Sequence, residues 1–278
     1  LNVRRNVMPQ FINTNIMSLN TVRVLDQSQK SLQTSMERLS SGKRINHARD
    51  DAAGMAITEQ MTSQIKGMNQ AVRNSNDGIS MVQTADGAME GIASKLQRMR
   101  ELAVQAANGI YSSSDRDSLD IEFQALDDEI DRVATNTRFN GIDLLAADLT
   151  KKIQTGAEAG ATINVELTGV TSSNLGISTD LISSQSSAST SIGAIDAALS
   201  IVNSARAKLG ATQNRLETTV QDLKNNVENL SASRSRIKDA DFASETATLA
   251  KNQILQQAGM AMLSQANQLP QQVLKLLQ

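Results

Sequence analysis

Only two prolines occur in the chain, Pro9 and Pro270, and none lies between them. Because proline breaks helices, this long stretch can form helices of unusual length. From Ile192 onward, steps of three and four residues meet mostly apolar side chains, and every second one is aliphatic: Ile195, Val202, Leu209, Leu216, Leu223, Leu230 and Ile237. Such a repeat, sustained over about seven heptads, predicts one helix on the order of 70 Å long that needs partner helices.

Further segments supply such partners, because each has one apolar stripe and a polar opposite face. The stripes contain Val22, Leu25, Leu32, Met36 and Leu39; Met61, Ile65, Met68, Val72, Ile79 and Val82; Leu119, Phe123, Leu126, Ile130 and Val133; and Leu255, Met262, Ala266, Leu269, Val273 and Leu276. The expected fold class is mainly α, a long helical coiled-coil bundle with a small β-hairpin and with the N- and C-terminal helices paired.

Local chemistry indicates where the helices begin and end. The runs 40–42 (Ser-Ser-Gly), 108–109 (Asn-Gly) and 140–141 (Asn-Gly) predict turns. Ser114 and Asp115 predict the start of the third helix, because both side chains can cap backbone N–H groups.

One stretch departs from the helical pattern. Ile163, Val165 and Leu167 alternate with polar residues after a glycine-flanked turn, which predicts a hairpin near 152–168. The following residues, 169–191, are rich in Ser and Thr, a composition typical of a loop.

Composition excludes several classes of protein. The 27 Lys and Arg nearly balance the 29 Asp and Glu, so nothing suggests nucleic acid as a partner. The absence of cysteine excludes disulfides, thiolate nucleophiles and zinc sites of the Cys type. No run of apolar residues is long enough for membrane insertion, and we expect no cleaved leader.

Catalysis is not expected either. His47 is the one histidine and lies in a polar run, and the common catalytic and phosphate-binding motifs are absent. The neighbouring acids Asp127, Asp128 and Glu129 are interpreted as a solvated helix face. The sequence therefore predicts no enzyme, no catalytic or metal-binding residues and no cofactor.

Amphipathic helices at both ends of the chain leave two interpretations open. Their stripes can pack against each other and against neighbouring copies, which gives an open helical filament when the contacts do not close. Alternatively, the chain forms a closed antiparallel bundle, which is a soluble binding module whose C-terminal helix docks internally.

Long ordered motifs resemble those of bacterial flagellins. The similar runs in the N-terminal half are 12–15 (INTN), 37–46 (ERLSSGKRIN), 50–54 (DDAAG), 76–80 (NDGIS), 97–105 (QRMRELAVQ) and 139–141 (FNG). Those near the C-terminus are 229–237 (NLSASRSRI), 253–259 (QILQQAG) and 265–268 (QANQ). The resemblance covers nearly the whole chain except about 169–191.

The resemblance implies a subunit of the flagellar filament that serves motility. Residues 8–50 and 240–278 would form the inner tube, and 51–239 the outer-tube domain, with a middle too short for large outer domains. Such subunits are secreted through the flagellar type III export apparatus to the extracellular filament. Residues 1–7 precede the expected natural start, Met8, and are interpreted as an upstream extension.

The resemblance also implies partners. These are further copies of the chain, a flagellar export chaperone, and the cap and hook-filament junction proteins; a hook-associated junction protein is the nearest alternative identity. The polymerisation seam is expected to contain Leu25, Leu32, Leu39, Leu255, Met262, Leu269, Val273 and Leu276.

Two further surfaces follow from the resemblance. Residues Arg98, Leu102 and Glu122 match positions by which related flagellins engage Toll-like receptor five of vertebrate hosts. The Ser- and Thr-rich stretch lies where related flagellins carry O-linked sugars, and its candidate acceptors are Thr171, Ser172, Ser173, Ser183 and Ser184.

Overall fold

The structure, a computed structural model, describes residues 14–276, with side chains described as far as Gln268. The predicted extension 1–7 and the side chains of Leu269, Val273 and Leu276 lie outside the described residues. The elements are α1 (Ile16–Ser41), α2 (Ala52–Ala106), α3 (Ser113–Asn136), β1 (Arg138–Phe139), β2 (Ile142–Asp143), β3 (Leu149–Gln154), β4 (Thr162–Leu167), α4 (Ser172–Leu175), α5 (Gln185–Lys238) and α6 (Phe242–Leu276).

Contacts divide the described chain into two units. One contains the residues up to Thr62 together with those from Ser231 onward, and the other is Ser63–Leu230. Both boundaries fall inside long helices, α2 and α5. The expected mainly α fold with paired terminal helices is confirmed.

The core of the Ser63–Leu230 unit is aliphatic. The predicted repeat on α5 is buried there, with Ile195, Val202, Leu209 and Leu216 all in one cluster. The same cluster takes in Phe123 of α3 and a run of methionine and leucine side chains from α2. Long helices that share aliphatic seams therefore provide the core despite the low aromatic content.

Two of the predicted turns have the backbone conformation that their residues favour. Gly42 ends α1 in the left-handed region, with φ of 68°. Asn140 and Gly141 connect β1 to β2 with φ of 49° and 78°, as a tight hairpin turn requires. Glycine and asparagine tolerate these angles because they avoid most of the Cβ clash.

The predicted start of α3 is two residues too late. The N-cap is Ser112, whose hydroxyl accepts a hydrogen bond from the Asp115 backbone N–H at 3.3 Å. In return, the Asp115 carboxylate accepts one from the Ser112 backbone N–H at 3.0 Å. Because this reciprocal capping box needs the serine three residues before the acid, Ser112 and not Ser114 is the cap.

The hairpin is confirmed as antiparallel β3 and β4, with Ile153 opposite Ile163. On β4, Ile163, Val165 and Leu167 are buried and alternate with exposed residues. β3 begins at Leu149, slightly before the predicted 152.

The predicted loop over 169–191 is shorter than expected. It contains the single-turn helix α4, and it ends where α5 begins at Gln185. The hydroxyl of Ser184 accepts a hydrogen bond from the backbone N–H of Ser187 at 3.1 Å, which is the geometry of an N-cap. Some of the serines thus start a helix rather than extend a loop, and Ala188 and Ser191 are already buried.

Candidate self-assembly surface

The terminal helices α1 and α6 pack against each other in antiparallel order. The hydroxyl of Ser28 donates a hydrogen bond to the backbone carbonyl of Asn252 at 3.2 Å. Nearer the C-terminal end of α1, Arg38 Nη1 forms an ion pair with Glu245 Oε2 at 3.7 Å. Where α1 ends, the backbone N–H of Ala240 donates to the carbonyl of Gly42 at 3.0 Å.

The two contacting faces, which we call the pairing face, follow alternating steps of three and four residues. Their centre is small and polar, with Ser28, Ser35 and Asn252 buried. A Cβ added at Gly259 would lie 3.1 Å from Leu25 Cδ1, so the helices approach closely there. The buried or half-buried positions that follow this spacing are Ser18, Thr21, Leu25, Ser28, Leu32, Ser35 and Leu39 on α1, and Glu245, Leu249, Asn252, Gln256, Gly259, Leu263 and Ala266 on α6.

The predicted polymerisation seam divides between two faces. Leu25, Leu32 and Leu39 lie half-buried on the pairing face. Leu255 and Met262 do not join them, because 45% and 61% of their surfaces remain exposed. On α6 the positions facing α1 are offset from these two residues and are occupied by Asn252, Gly259 and similar side chains, so Leu255 and Met262 stay exposed and available for the predicted contact with neighbouring copies.

Large apolar side chains also remain exposed on the same pair of helices outside the pairing face, and we call these residues together the outer stripe. Exposed apolar side chains in such number are typical of surfaces that a partner covers. Its members are Ile16, Met17, Leu19, Val22, Val24 and Met36 on α1, and Ile254, Leu255, Met260 and Met262 on α6.

Two of the three predicted receptor residues meet on the surface. Arg98 of α2 donates a hydrogen bond to Glu122 of α3 at 2.9 Å and another to Glu101 at 2.9 Å. These hydrogen bonds, first to Glu101 and then to Glu122, raise the pKa of Arg98. The arrangement is an exposed ion-pair network between two helices.

Leu102 lies elsewhere, and its predicted place in that surface needs correction. It is only 1% exposed and belongs to the aliphatic core of the Ser63–Leu230 unit. A helix position four residues from Arg98 shares roughly its side of α2, but packing inside this unit covers it. Its side chain is not available to a partner in this conformation.

The candidate sugar acceptors also differ in access. Ser172 is 2% exposed, and its hydroxyl donates a hydrogen bond to Asp131 at 2.8 Å. Its hydroxyl is therefore not accessible for sugar attachment in this conformation. Thr171 caps α4 and is half-exposed, as is Ser183. Ser173 and Ser184 are exposed.

Acids on α3 hold residues 171–182 in place, a structural role that the sequence pattern did not predict. Asp131 accepts from the Ser172 backbone N–H at 2.7 Å, and Asp120 accepts from the Ile182 backbone N–H at 2.7 Å. Asp127 lies between them on the same helical face. The spacing of 120, 127 and 131 could have indicated this role, because steps of seven and four residues place side chains on the same side of a helix.

Asp127 is not the solvated acid that the sequence suggested. One of its carboxylate oxygens is buried without a hydrogen-bond partner, as is one oxygen of Asp180. Burial, followed by the charges of Asp131, Asp128 and Asp180, raises the pKa of Asp127 to about 6. Burial also raises the pKa of Asp180.

Two classes of site are missing from the described residues. Between residues 14 and 276, no three acidic or histidine side chains are grouped to hold a metal ion. Over the same part of the chain, no helix has the length and apolar character needed to cross a membrane.

Known proteins match this chain in sequence over nearly its whole length. A family model described as the bacterial flagellin N-terminal helical region matches residues 12–150, and one for the C-terminal helical region matches 192–277. A flagellin of Halalkalibacterium halodurans is 47% identical over 270 residues, which covers 96% of this chain and 99% of that protein. A flagellin of Bacillus subtilis is 44% identical over 303 residues, with the same coverage.

A solved structure agrees. The crystal structure of Bacillus cereus flagellin is 33% identical, covers 58% of this chain and 94% of that one, and has a TM-score of 0.50. Long paired helices with a small hairpin and this similarity define a structural subunit of a bacterial filament. The chain belongs to the bacterial flagellin family, in a short form, and is a subunit of the extracellular flagellar filament that serves motility.

Proposed function

We propose that the outer stripe carries polymerisation, whereas the pairing face holds α1 against α6 within one subunit. The observation that carries this proposal is the exposure of Leu255 and Met262 on a helix whose other face already has a partner. A closed bundle would leave no reason for a second apolar face. In the filament, the outer stripe contacts neighbouring copies.

The energetics favour this role. Each large aliphatic side chain removed from water contributes about 1.5–3 kcal/mol before ordering costs are subtracted. The outer stripe has several such side chains on each helix. A few of them buried per subunit are enough to hold a polymer whose contacts repeat along its length.

Seeded growth tests the proposal. Met262→Asp places a charge in the outer stripe, while Gln257→Asp places the same charge on an exposed polar position of the same helix. We expect negative-stain electron microscopy to show no seeded filaments for the first variant and filaments of ordinary length for the second. Normal growth of Met262→Asp would contradict the proposal.

We assign the inner-tube role to 8–50 with 240–278 and the outer-tube role to 51–239. The division of contacts near Thr62 and Ser231 supports two separately packed parts. Both division points lie within the expected outer-tube range 51–239 rather than at its ends. In this arrangement the outer stripe belongs to the inner-tube part. Removal of 255–278 is expected to leave a chain that does not polymerise, and seeded growth of the truncated chain tests this.

Before assembly, the same stripe is the surface that an export chaperone would cover, because exposed apolar residues favour aggregation. We further assign the cap and the hook-filament junction proteins as the partners at the two ends of the filament. A chaperone that covers the stripe is expected to slow chemical oxidation of Met262 in the free subunit. An unchanged oxidation rate would place the chaperone elsewhere.

Recognition by Toll-like receptor five is a second role that we propose for this chain. Arg98 and Glu122 support it, because they form an exposed charged network on adjacent helices. Arg98→Ala combined with Glu122→Ala is expected to reduce receptor signalling by the monomer. The matched control is Arg132→Ala, which breaks an exposed ion pair with Glu129 elsewhere on α3.

Decoration by O-linked sugars is proposed for Ser173 and Ser184, with Thr171 and Ser183 as less exposed acceptors. The intact mass of filament subunits tests it. A mass above that of the chain, lost in Ser173→Ala or Ser184→Ala, would support decoration, and a mass equal to that of the chain would exclude it.

A further inference from the structure

Asn15 forms hydrogen bonds with both terminal helices. It precedes α1 and caps it, because its side-chain oxygen accepts a hydrogen bond from the Ser18 backbone N–H at 3.1 Å. Its side-chain nitrogen donates to the backbone carbonyl of Ala266, in α6, at 2.8 Å. A single amide thus satisfies a donor of one helix and an acceptor of the other.

The carbonyl of Ala266 needs a donor from outside its own helix. In an α-helix, each carbonyl accepts from the N–H four residues later. For Ala266 that residue is Pro270, which has no N–H, although α6 continues to Leu276. Asn15 therefore supplies the hydrogen bond that Pro270 removes.

The apolar pattern of the pairing face does not by itself fix which part of α1 meets which part of α6, so the register depends on specific polar contacts such as the Ser28–Asn252 hydrogen bond and the Asn15–Ala266 hydrogen bond. On α1 the pair Leu25 and Ser28 is repeated seven residues later as Leu32 and Ser35. A shift of one heptad would place similar side chains against α6, so the apolar pattern alone permits it. Pro270 is the only proline in α6, so the carbonyl of Ala266 is the only one on that helix that loses its hydrogen-bond donor to a proline.

We infer that Asn15 is a positioning residue that holds the N-terminal end of α1 in register with α6 by donating to the carbonyl left unpaired by Pro270. A shifted register leaves this carbonyl without its donor, which costs free energy in a partly buried place. The inference rests on the proposal that this helix pair is part of the assembled filament. It adds a role for two residues that lie outside the outer stripe.

Four chains test the inference: the parent, Asn15→Ser, Pro270→Ala and the double variant. Serine keeps a capping oxygen but is too short to reach Ala266. Pro270→Ala restores the N–H that the helix lacks. We expect Asn15→Ser to lower the melting temperature of filaments clearly in the parent chain and by less than half as much in the Pro270→Ala chain. An equal loss in both backgrounds would overturn the inference.

Cross-linking reads the register itself. The chain has no cysteine, so introduced pairs are unambiguous. Ser28→Cys with Asn252→Cys reports the observed register, and Ser35→Cys with Asn252→Cys reports a shift of one heptad. With a short thiol cross-linker, we expect the second pair to react only when Asn15→Ser is present. If Asn15→Ser leaves both cross-linking yields unchanged, Asn15 does not set the register.

Failed assembly of Asn15→Ser is also informative. If the variant forms no filaments and Pro270→Ala restores them, the inference is supported; if the double variant also fails, the inference is overturned. The polymerisation proposal is judged separately, by Met262→Asp in the parent chain. Filaments that resist Asn15→Ser but not Met262→Asp would overturn the register role alone.

Discussion

Leu25 of α1 packs against Gly259 of α6, and a Cβ on that glycine would lie 3.1 Å from Leu25 Cδ1. A side chain at this position would force Leu25 to move by a few tenths of an ångström. The terminal helices therefore approach each other closely at a small residue, where a hydrophobicity pattern would favour a large one.

Gly259→Val is predicted to weaken the pair. The added branch must displace Leu25, and overpacking of this kind costs about 1–3 kcal/mol. Filaments of this variant should melt at a lower temperature in calorimetry. Ala250→Val is the control, because it adds similar bulk at an exposed position of α6. Equal melting temperatures for the two variants would show that the contact does not limit stability.

Asp131→Ala is predicted to loosen residues 171–182. The change removes two acceptors, which hold the backbone N–H and the hydroxyl of Ser172. Hydrogen bonds to a charged group contribute about 1.5–3 kcal/mol each, and the buried Ser172 would be left unpaired. Hydrogen exchange at Ser172 and its neighbours should accelerate. Asp128→Ala, at an exposed position of the same helix, should leave the exchange unchanged.

Asp127 is predicted to make the stability of the subunit fall as pH rises. Its pKa in the folded chain is about 6, above its ordinary unfolded value, so the folded state binds the proton more tightly. The stabilisation is full below the unfolded pKa, near 4, and is lost as pH rises through about 6. Because Asp127 is only partly buried, we expect an effect of about 1 kcal/mol after solvent screening.

Asp127→Asn isolates this effect from the other carboxylates. The variant should be more stable than the parent chain at pH 8, and the difference should vanish or reverse near pH 4. Chemical denaturation at the two pH values measures it. Asp117→Asn, at an exposed position of the same helix, is the matched control, and a pH dependence that survives in Asp127→Asn would assign the titration to another group.

The sequence predicted those features that large apolar side chains determine. The repeat on α5 runs through Val202, Leu209 and Leu216, and these residues are buried as expected. The alternation on β4 was equally informative, since one side of the strand faces the core. Periodicity is a dependable signal where burial follows hydrophobicity.

The candidate site was less predictable because its pairing face does not follow hydrophobicity. Ser28, Asn252 and Gly259 permit close approach and hydrogen bonding, so the larger Leu255 and Met262 lie on the other side. Leu102 was expected on the surface, but it belongs to a buried cluster whose other members include residues distant in sequence. The raised pKa of Asp127 comes first from burial and then from neighbouring carboxylates, of which Asp180 lies far along the chain.

Oxidative footprinting of the outer stripe tests the central claim most directly. Met17 and Met262 are each 61% exposed in the single subunit, and methionine oxidises readily when accessible. If the outer stripe is the contact between copies, both residues should react quickly in the monomer and be strongly protected in filaments. Equal oxidation rates in monomer and filament would contradict the claim that this stripe holds the filament together.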